Sequence, residues 1–447
     1  MTESLTYIAL GLGLSIPLLL MNIRLAPKWG LIDWPKARGV AQDHIPIVGY
    51  SLVLMVFSLI LVGALFENIS GWVVATAGVM GVMGHLDDRR PLPPFDKMFL
   101  QLACVSCVVI FDPNISAAFG ERYGAWGSFW AAFFILGLVN AINFIDGIDG
   151  LAGMVIWVGA LGFLLLVPNG SHFDTYRFFT QLTLGAIIPF FYINVVRRKG
   201  FMGNVGSYFF GYLLAVAHVS LPLQAADPIS RLALSGLCFL IPIADACTVM
   251  VTRLVTLRSP FQADKGHLHH RLIQSGVALR YILLSFAAIE MLALSSAVIL
   301  NHSAVAAASW LPLSVGACLL AVTSLLTLLV DKASKKRVRG YFQQMDALKE
   351  IQYLRYQVGT ALSPVKPVLL KRLEARISAE LRVTDVCFAE PPDHLFITLC
   401  IHSEPVQRIT ARIEAIFISE KIVEFHKVES GVIQKMPSAA VPIRAIA

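Results

Sequence analysis

Charge is scarce in this chain. Only 15% of its 447 residues are Asp, Glu, Lys or Arg, against 56% hydrophobic. With a mean hydropathy of +0.69, that balance excludes a soluble globular domain and fits a polytopic membrane protein. Cysteine is sparse as well. Cys104, Cys107, Cys238, Cys247 and Cys318 all fall within apolar runs, so they read as small buried hydrophobes rather than a disulfide framework, a metal set or a redox pair. No basic residue precedes the first apolar run, Leu5 to Ile23. Glu3 stands there instead, and Arg24 and Lys28 follow, the wrong charge order for a cleaved secretory signal. The run is therefore expected to stay as a membrane helix with its N-terminus outside. Also missing are paired polar breaks near mid-membrane and an inverted internal repeat, which a transporter would show.

What is present is a series of apolar runs. After Leu5 to Ile23 come Ile47 to Leu65, Trp72 to Gly84, Phe99 to Phe111, Gly127 to Phe144, Leu151 to Val167, Phe178 to Val196, Val205 to Leu223, Leu232 to Thr252, Ile282 to Leu300 and Trp310 to Val330. The expected fold class is an all-α polytopic membrane protein with about eleven transmembrane helices. Threaded from outside to inside, alternate loops collect Arg24, Lys28, Lys36 and Arg38, then Arg89, Arg90 and Lys97, then Arg197, Arg198 and Lys199, then Arg253, Arg258, Lys265, Arg271 and Arg280. The opposite loops offer little beyond Arg122, Arg177 and Arg231. Positive charge marks cytoplasmic loops, so the net charge of +7 belongs to the inner membrane surface and not to nucleic-acid binding.

After Val330 a basic juxtamembrane run, Asp331 to Arg339, leads into a tail of ordinary soluble composition. There Val368 to Leu381 and Val406 to Phe417 have helical spacing, while His394 to His402 and Lys421 to Val428 alternate like strands. The expected division is a transmembrane catalytic domain over residues 1–331 and a small cytosolic α+β domain over residues 332–447. His394, His402 and His426 share no metal-ligand spacing.

Four polar clusters interrupt the apolar pattern, all on the side assigned to the cytoplasm. The stretch Asn140 to Ala152 carries Asn140, Asn143, Asp146 and Asp149 between two apolar runs. An ionised Asp near a bilayer centre costs about 2.5 to 3.5 kcal/mol, so acids here point to function. Asp146 and Asp149 are three apart, which on a helix puts both on one face, with Gly147 and Gly150 leaving room for a bulky ligand. Asp87 and Asp88 are adjacent, repel each other, and suit a cation or a proton-bearing phosphate. Phe201 to Ser207, with Gly203, Asn204 and Gly206, suggests backbone donors at a helix N-terminus that suit an anion. His267, His269, His270 and Arg271, with Lys265, suit an imidazole-rich anion-binding loop better than zinc, because neighbouring histidines rarely face one metal. A lone His218 inside a span reads as an interhelical hydrogen bond. Hard acids imply Mg²⁺, with Mn²⁺ as a substitute, and cationic loops imply a phosphorylated partner. Together they describe phosphoryl transfer at a membrane surface.

The pattern Asp87-Asp88, Asn140-x-x-Asn143-x-x-Asp146-Gly-Ile-Asp149-Gly, Phe201-Met-Gly-x-x-Gly-Ser207 and His267-Leu-His-His270 resembles the polyprenyl-phosphate N-acetylhexosamine-1-phosphate transferases (glycosyltransferase family 4) over roughly Asp33 to Leu272. Pro242-x-x-Asp245, Arg253, Ser259-Pro-Phe and Asp264 look more like the branch that transfers GlcNAc-1-phosphate and initiates O-antigen, enterobacterial-common-antigen-like and other lipopolysaccharide or cell-envelope glycans. The phospho-MurNAc-pentapeptide translocase branch is the alternative.

The resemblance implies an enzyme of the bacterial inner membrane, active site and C-terminal domain cytoplasmic, that moves a sugar phosphate from a UDP-N-acetylhexosamine to undecaprenyl phosphate and releases UMP. It implies that Asp87, Asp88 and Asp146 are catalytic, that Asp87 and Asp88 lie near lipid phosphate and metal, that Asn143, Asp146 and Asp149 line the nucleotide pocket, and that Asn140 also binds substrate. Phe201 would stack on uracil, Gly203 and Ser207 would bind substrate, and His267, His269, His270 and Arg271 would hold the diphosphate or sugar. Members of the family commonly form homodimers. One position departs: where the family has Asp as a direct Mg²⁺ ligand, this chain has Asn204, which removes a full negative charge. A weakly active or non-catalytic relative that binds lipid phosphate is the corresponding alternative.

Overall fold

The computed structural model of the protein describes residues 2–33, 45–64, 70–168, 174–221, 223, 227–255, 267–274, 277–302 and 314, and four strands between 351 and 433. The chain divides into two compact units, residues 1–330 and 331–447.

The first unit is helical: α1 (Thr2–Trp29), α2 (Gly49–Ala64), α3 (Gly71–Arg89), α4 (Pro94–Phe111), the single turn α5 (Pro113–Ile115), α6 (Arg122–Ile145), α7 (Leu151–Leu166), α8 (Asp174–Phe191), α9 (Gly203–Ser220), α10 (Pro228–Leu237), α11 (Leu240–Val255), α12 (Leu268–Gln274) and α13 (Leu279–His302). A two-residue antiparallel pair, β1 (Ile32–Asp33) with β2 (Ile45–Pro46), joins α1 to α2. Five described helices are long and apolar enough to cross a membrane, six if one bent pair is a single span. Each apolar run expected to span, through Leu300, overlaps a described helix. Trp310 to Val330 lies outside the described residues.

One expectation is corrected. Leu232 to Thr252 is not one continuous helix but two, α10 and α11, that meet at 109°. Cys238, after α10, donates its backbone N–H to Ser235 O, and Phe239 donates to Gly236 O, so the chain closes tightly before restarting at Leu240.

The axis of the unit is α9. From Val205 to Ser220 every residue is buried, including Phe209, Phe210 and Tyr212. Helices α2, α3, α6, α7 and α8 pack against it. At the end that carries the site, α3 and α9 meet backbone to backbone: a Cβ on Gly84 would lie 2.5 Å from Val205 Cα and 2.6 Å from the Asn204 carbonyl oxygen. Only glycine allows this approach. Elsewhere inside the bundle His218 makes the helix–helix bond its position suggested, Nε2 to Gly159 O at 2.9 Å.

In the second unit the described residues form an antiparallel sheet of order β4-β5-β3-β6, with β3 (Ile351–Val358), β4 (Asp385–Ala389), β5 (Leu395–Ile401) and β6 (Phe425–Ile433). The alternation expected from His394 to His402 is β5, and that from Lys421 overlaps β6. β3 carries no strict alternation and escapes a sequence reading. The helices expected at Val368 to Leu381 and Val406 to Phe417 lie outside the described residues.

Candidate active site

The adjacent carboxylates at the end of α3 have separate partners. Asp87 is buried; its Oδ2 lies 2.8 Å from Lys97 Nζ on α4 and accepts from Tyr208 Oη at 3.2 Å, while Oδ1 accepts from Leu92 N at 2.8 Å. Asp88 reaches across to α9 and accepts from Asn204 N at 2.8 Å and Val205 N at 3.1 Å. Like charges side by side are tolerated here because one has a lysine and the other the positive end of a helix. The helix N-terminus expected to receive a ligand anion is thus engaged by Asp88. Gly203 makes that reach possible. Its φ is +73°, and a Cβ there would lie 2.9 Å from Asp88 Oδ2.

On α6, Asn143 donates to Asn204 Oδ1 at 2.7 Å and to Ser207 Oγ at 2.9 Å, so these three residues form one group beside Asp88. Asn140, one turn earlier, turns the other way and donates to Gln101 Oε1 on α4 at 2.8 Å. Phe201 is half-buried; its backbone pairs with Pro46 and Val48, which anchors the approach to Gly203.

The Asp146 and Asp149 spacing does not lie on a helix. Helix α6 ends at Ile145, and Asp146 to Gly150 form turns before α7, with Gly150 at φ +87°. The glycines that suggested room for a ligand also end the helix. Asn194, in a π-helical turn after α8, holds this segment: its Oδ1 accepts from Gly150 N at 2.5 Å, and its Nδ2 donates to Gly200 O at 2.7 Å and Asp149 Oδ1 at 3.3 Å. Burial pushes the Asp149 carboxyl up, with Arg198 and the Asn194 amide only partly offsetting it.

The histidine segment is organised by Asp245 on α11. Asp245 accepts from Leu268 N at 2.5 Å and pairs with His267 Nδ1 at 2.8 Å. His269 Nδ1 stands 3.8 Å from the same carboxylate. Both ring nitrogens of His269 are buried without a hydrogen-bond partner. Burial pulls His269 down to about 3, opposed by Asp245 and reinforced by His270 and His267. His269 and His270 lie over the turn after α6: a Cβ on Gly147 would be 2.9 Å from His269 Nε2 and 3.4 Å from His270 Nε2. Arg271, half-buried, donates its backbone N–H to His267 O. Ser259 and Asp264 lie outside the described residues.

The structure thus brings together Asp88, Asn143, Asn204 and Ser207 in one group and sets the histidines against Gly147 next to Asp146. It directs Asn140 into a helix–helix contact. Sequence reasoning missed Lys97, Tyr208 and Asn194, and it left Asp245 outside the site. Lys97 stood in the list of basic loop residues, and the Asp245 motif was visible, but no spacing rule pairs either with its partner.

Among the described residues no three His, Cys, Asp or Glu side chains gather as a metal cluster. The donors near α9 are nevertheless oxygens only: the Asp88 carboxylate, the Asn204 amide oxygen and the Ser207 hydroxyl. That set fits Mg²⁺, which is bound by one or two carboxylates and takes the rest of its shell from water and substrate phosphates.

These features define a polytopic membrane protein with a polar site built at the ends of its helices. Residues 70–221 match the sequence model of Glycosyl transferase family 4. The chain is 27% identical over 284 residues to an undecaprenyl-phosphate alpha-N-acetylglucosaminyl 1-phosphate transferase of Escherichia coli K12, covering 59% of this chain and 76% of that protein. It is 29% identical over 305 residues to the protein of that name from Yersinia pestis, covering 64% and 81%. A probable undecaprenyl-phosphate N-acetylglucosaminyl 1-phosphate transferase of Bacillus subtilis is 26% identical over 303 residues, covering 65% and 82%. Over residues 70–221 the chain is therefore similar to glycosyl transferase family 4.

Proposed function

We propose that the chain transfers N-acetylglucosamine 1-phosphate from UDP-GlcNAc to undecaprenyl phosphate and releases UMP, at the cytoplasmic face of a bacterial inner membrane, as the first step of a lipopolysaccharide, O-antigen or other envelope glycan. The observation that carries this reading is the approach of the buried His269, whose ring nitrogens have no hydrogen-bond partner, to the turn that holds Asp146. The relatives' names supply the sugar and the carrier.

In this reaction a non-bridging oxygen of the lipid phosphate bonds to the β-phosphorus of the donor. The bond from that phosphorus to the bridging oxygen breaks, and UMP departs with the electron pair. Both reactants are anions, so the residues must hold them in line and offset charge. His269, kept neutral by burial, has one ring N–H to give a phosphate oxygen. Arg271 and His270 add donors beside it. Lys97, 27% exposed and already paired with Asp87, draws the lipid phosphate toward the α3–α4 end. Asn143 and Ser207 orient Asn204, while Asp149 and Phe201, tied through Asn194 and Gly200, frame the nucleotide. Asp88, Asn204 and Ser207 are the residues that would hold Mg²⁺, which supplies charge neutralisation between the phosphates and stabilises the leaving nucleotide.

The test is UMP release from a panel of UDP-N-acetylhexosamines by detergent-solubilised protein with undecaprenyl phosphate, with and without Mg²⁺. Release that needs lipid, metal and UDP-GlcNAc supports the proposal. Release only with UDP-MurNAc-pentapeptide would replace it with the translocase activity. Asn204 favours a second reading, a slow or non-catalytic relative, because its oxygen carries no full charge and is engaged by Asn143. Lipid phosphate binding without UMP release from any donor would select it.

A further inference from the structure

The mechanism above makes no use of Glu290, the acid at the middle of α13. It is fully buried, and its Oε2 accepts the backbone N–H of Ile241 at 2.9 Å; Oε1 has no hydrogen-bond partner. A carboxyl group among apolar helices is costly and persists where it meets a specific need. Ile241 is the second residue of α11, just past the 109° bend, where backbone N–H groups have no partner within the helix. Glu290 therefore ties the start of α11 to the side of α13.

That tie closes a triangle around the histidine segment. Asp245 lies on α11 about 6 Å along the helix from Ile241 and holds the start of the segment through His267 and Leu268. The segment's other end, Gln274, is followed after a short connection by α13, whose first residue is about 16 Å along the helix from Glu290. One side is thus a carboxylate clamp, one is the chain itself and one is the Glu290 bond. Inside a bilayer, apolar contacts give little preference for one helix placement over another, so a single polar tie has a large say in where α11 stands.

We propose that Glu290 is a positioning residue for the sugar-nucleotide side of the reaction, fixing α11 and Asp245, which holds His267, so that His269 and His270 lie over the Asp146–Gly147 turn; the inference rests on the transferase reading. Glu290 touches no reacting group. Its effect runs through a hydrogen-bond acceptor rather than a charge, so Glu290→Gln, which keeps an oxygen for Ile241 N–H, should preserve it and Glu290→Leu should not.

The full chain in detergent is assayed for UMP release with UDP-GlcNAc and undecaprenyl phosphate varied separately. In parallel, histidine carbethoxylation is followed by mass spectrometry, with exposed His302 on α13 as reference. Glu290→Gln is expected to stay within twofold of wild type in both readouts. Glu290→Leu is expected to lose at least tenfold in kcat/KM for UDP-GlcNAc, keep KM for the lipid phosphate within twofold, and label His267 and His269 faster relative to His302. The proposal is overturned if folded Glu290→Leu matches wild type, if both substrates suffer equally, or if Gln fares no better than Leu. Glu290→Ala replaces Leu if the latter gives no monodisperse protein, and failure of both to fold while Gln folds would leave a folding role only and overturn the proposal. Wild-type protein inactive with every donor would defeat the transferase reading alone, because the labelling still judges the tie.

Discussion

A single methyl group placed on Gly147 tests whether the histidines lie over the turn. The added Cβ would stand 2.9 Å from His269 Nε2, against an ordinary separation of about 3.5–4.0 Å, so ring or turn must yield by roughly 0.6–1.1 Å. His269 is 1% exposed and Asp245 holds the residues before it, so neither relaxes freely. Overpacking of this kind costs about 1–3 kcal/mol. If it is taken up by moving a donor at the reacting phosphate, a shift near 1 Å lowers turnover by up to about 10²-fold. The expected result for Gly147→Ala is folded protein with kcat/KM for UDP-GlcNAc reduced ten- to a hundredfold. Gly137→Ala is the control: it is also on or beside α6, and nothing stands within 4 Å of the new Cβ, so helix propensity alone acts and stability rises by up to about 1 kcal/mol. UMP release and thermal melting of both variants in detergent decide the matter. A Gly147→Ala enzyme as fast as wild type would refute the placement of the histidines in the working protein.

Lys97→Met strips the buried Asp87 of its cation but leaves Tyr208 and Leu92 N as donors, so a loss of about 1–3 kcal/mol is expected; a melting temperature in detergent unchanged from wild type would count against the pair. Asn204→Asp adds a full charge beside Ser207 and should lower the Mg²⁺ concentration for half-maximal UMP release, whereas unchanged metal dependence would mean that other atoms hold the ion. His269 has its proton affinity lowered from the ordinary 6.5 to about 3. Between those values the unfolded chain takes up a proton that the folded one refuses, so stability falls as pH drops through that window. His269→Gln should flatten the fall in melting temperature between pH 6.5 and 4.

The helices of the first unit were legible because apolar runs of membrane length have few alternatives. Asp146, Asp149 and Asn143 were legible as polar residues at apolar borders. What stayed hidden was set by contacts distant in sequence. Asp88 binds residues 116 and 117 positions away, and Asn194 binds a turn 44 positions back. Helical periodicity even misled between Asp146 and Asp149, since three-residue spacing carries meaning only while the helix continues. The bend after Leu237 escaped for a related reason: Leu, Cys, Phe, Leu and Ile across it keep hydropathy high, and hydropathy does not register direction.

The bond between Asp88 and the start of α9 changes how variants at this position should be interpreted. A substitution chosen to erase chemistry there also releases the first turn of the central helix, and with it Asn204, Asn143 and Ser207. Inactivity in such a variant therefore cannot by itself assign proton or metal handling to Asp88. Substituting Gly203, which leaves the carboxylate intact but crowds its route, would report the mechanical share of that loss.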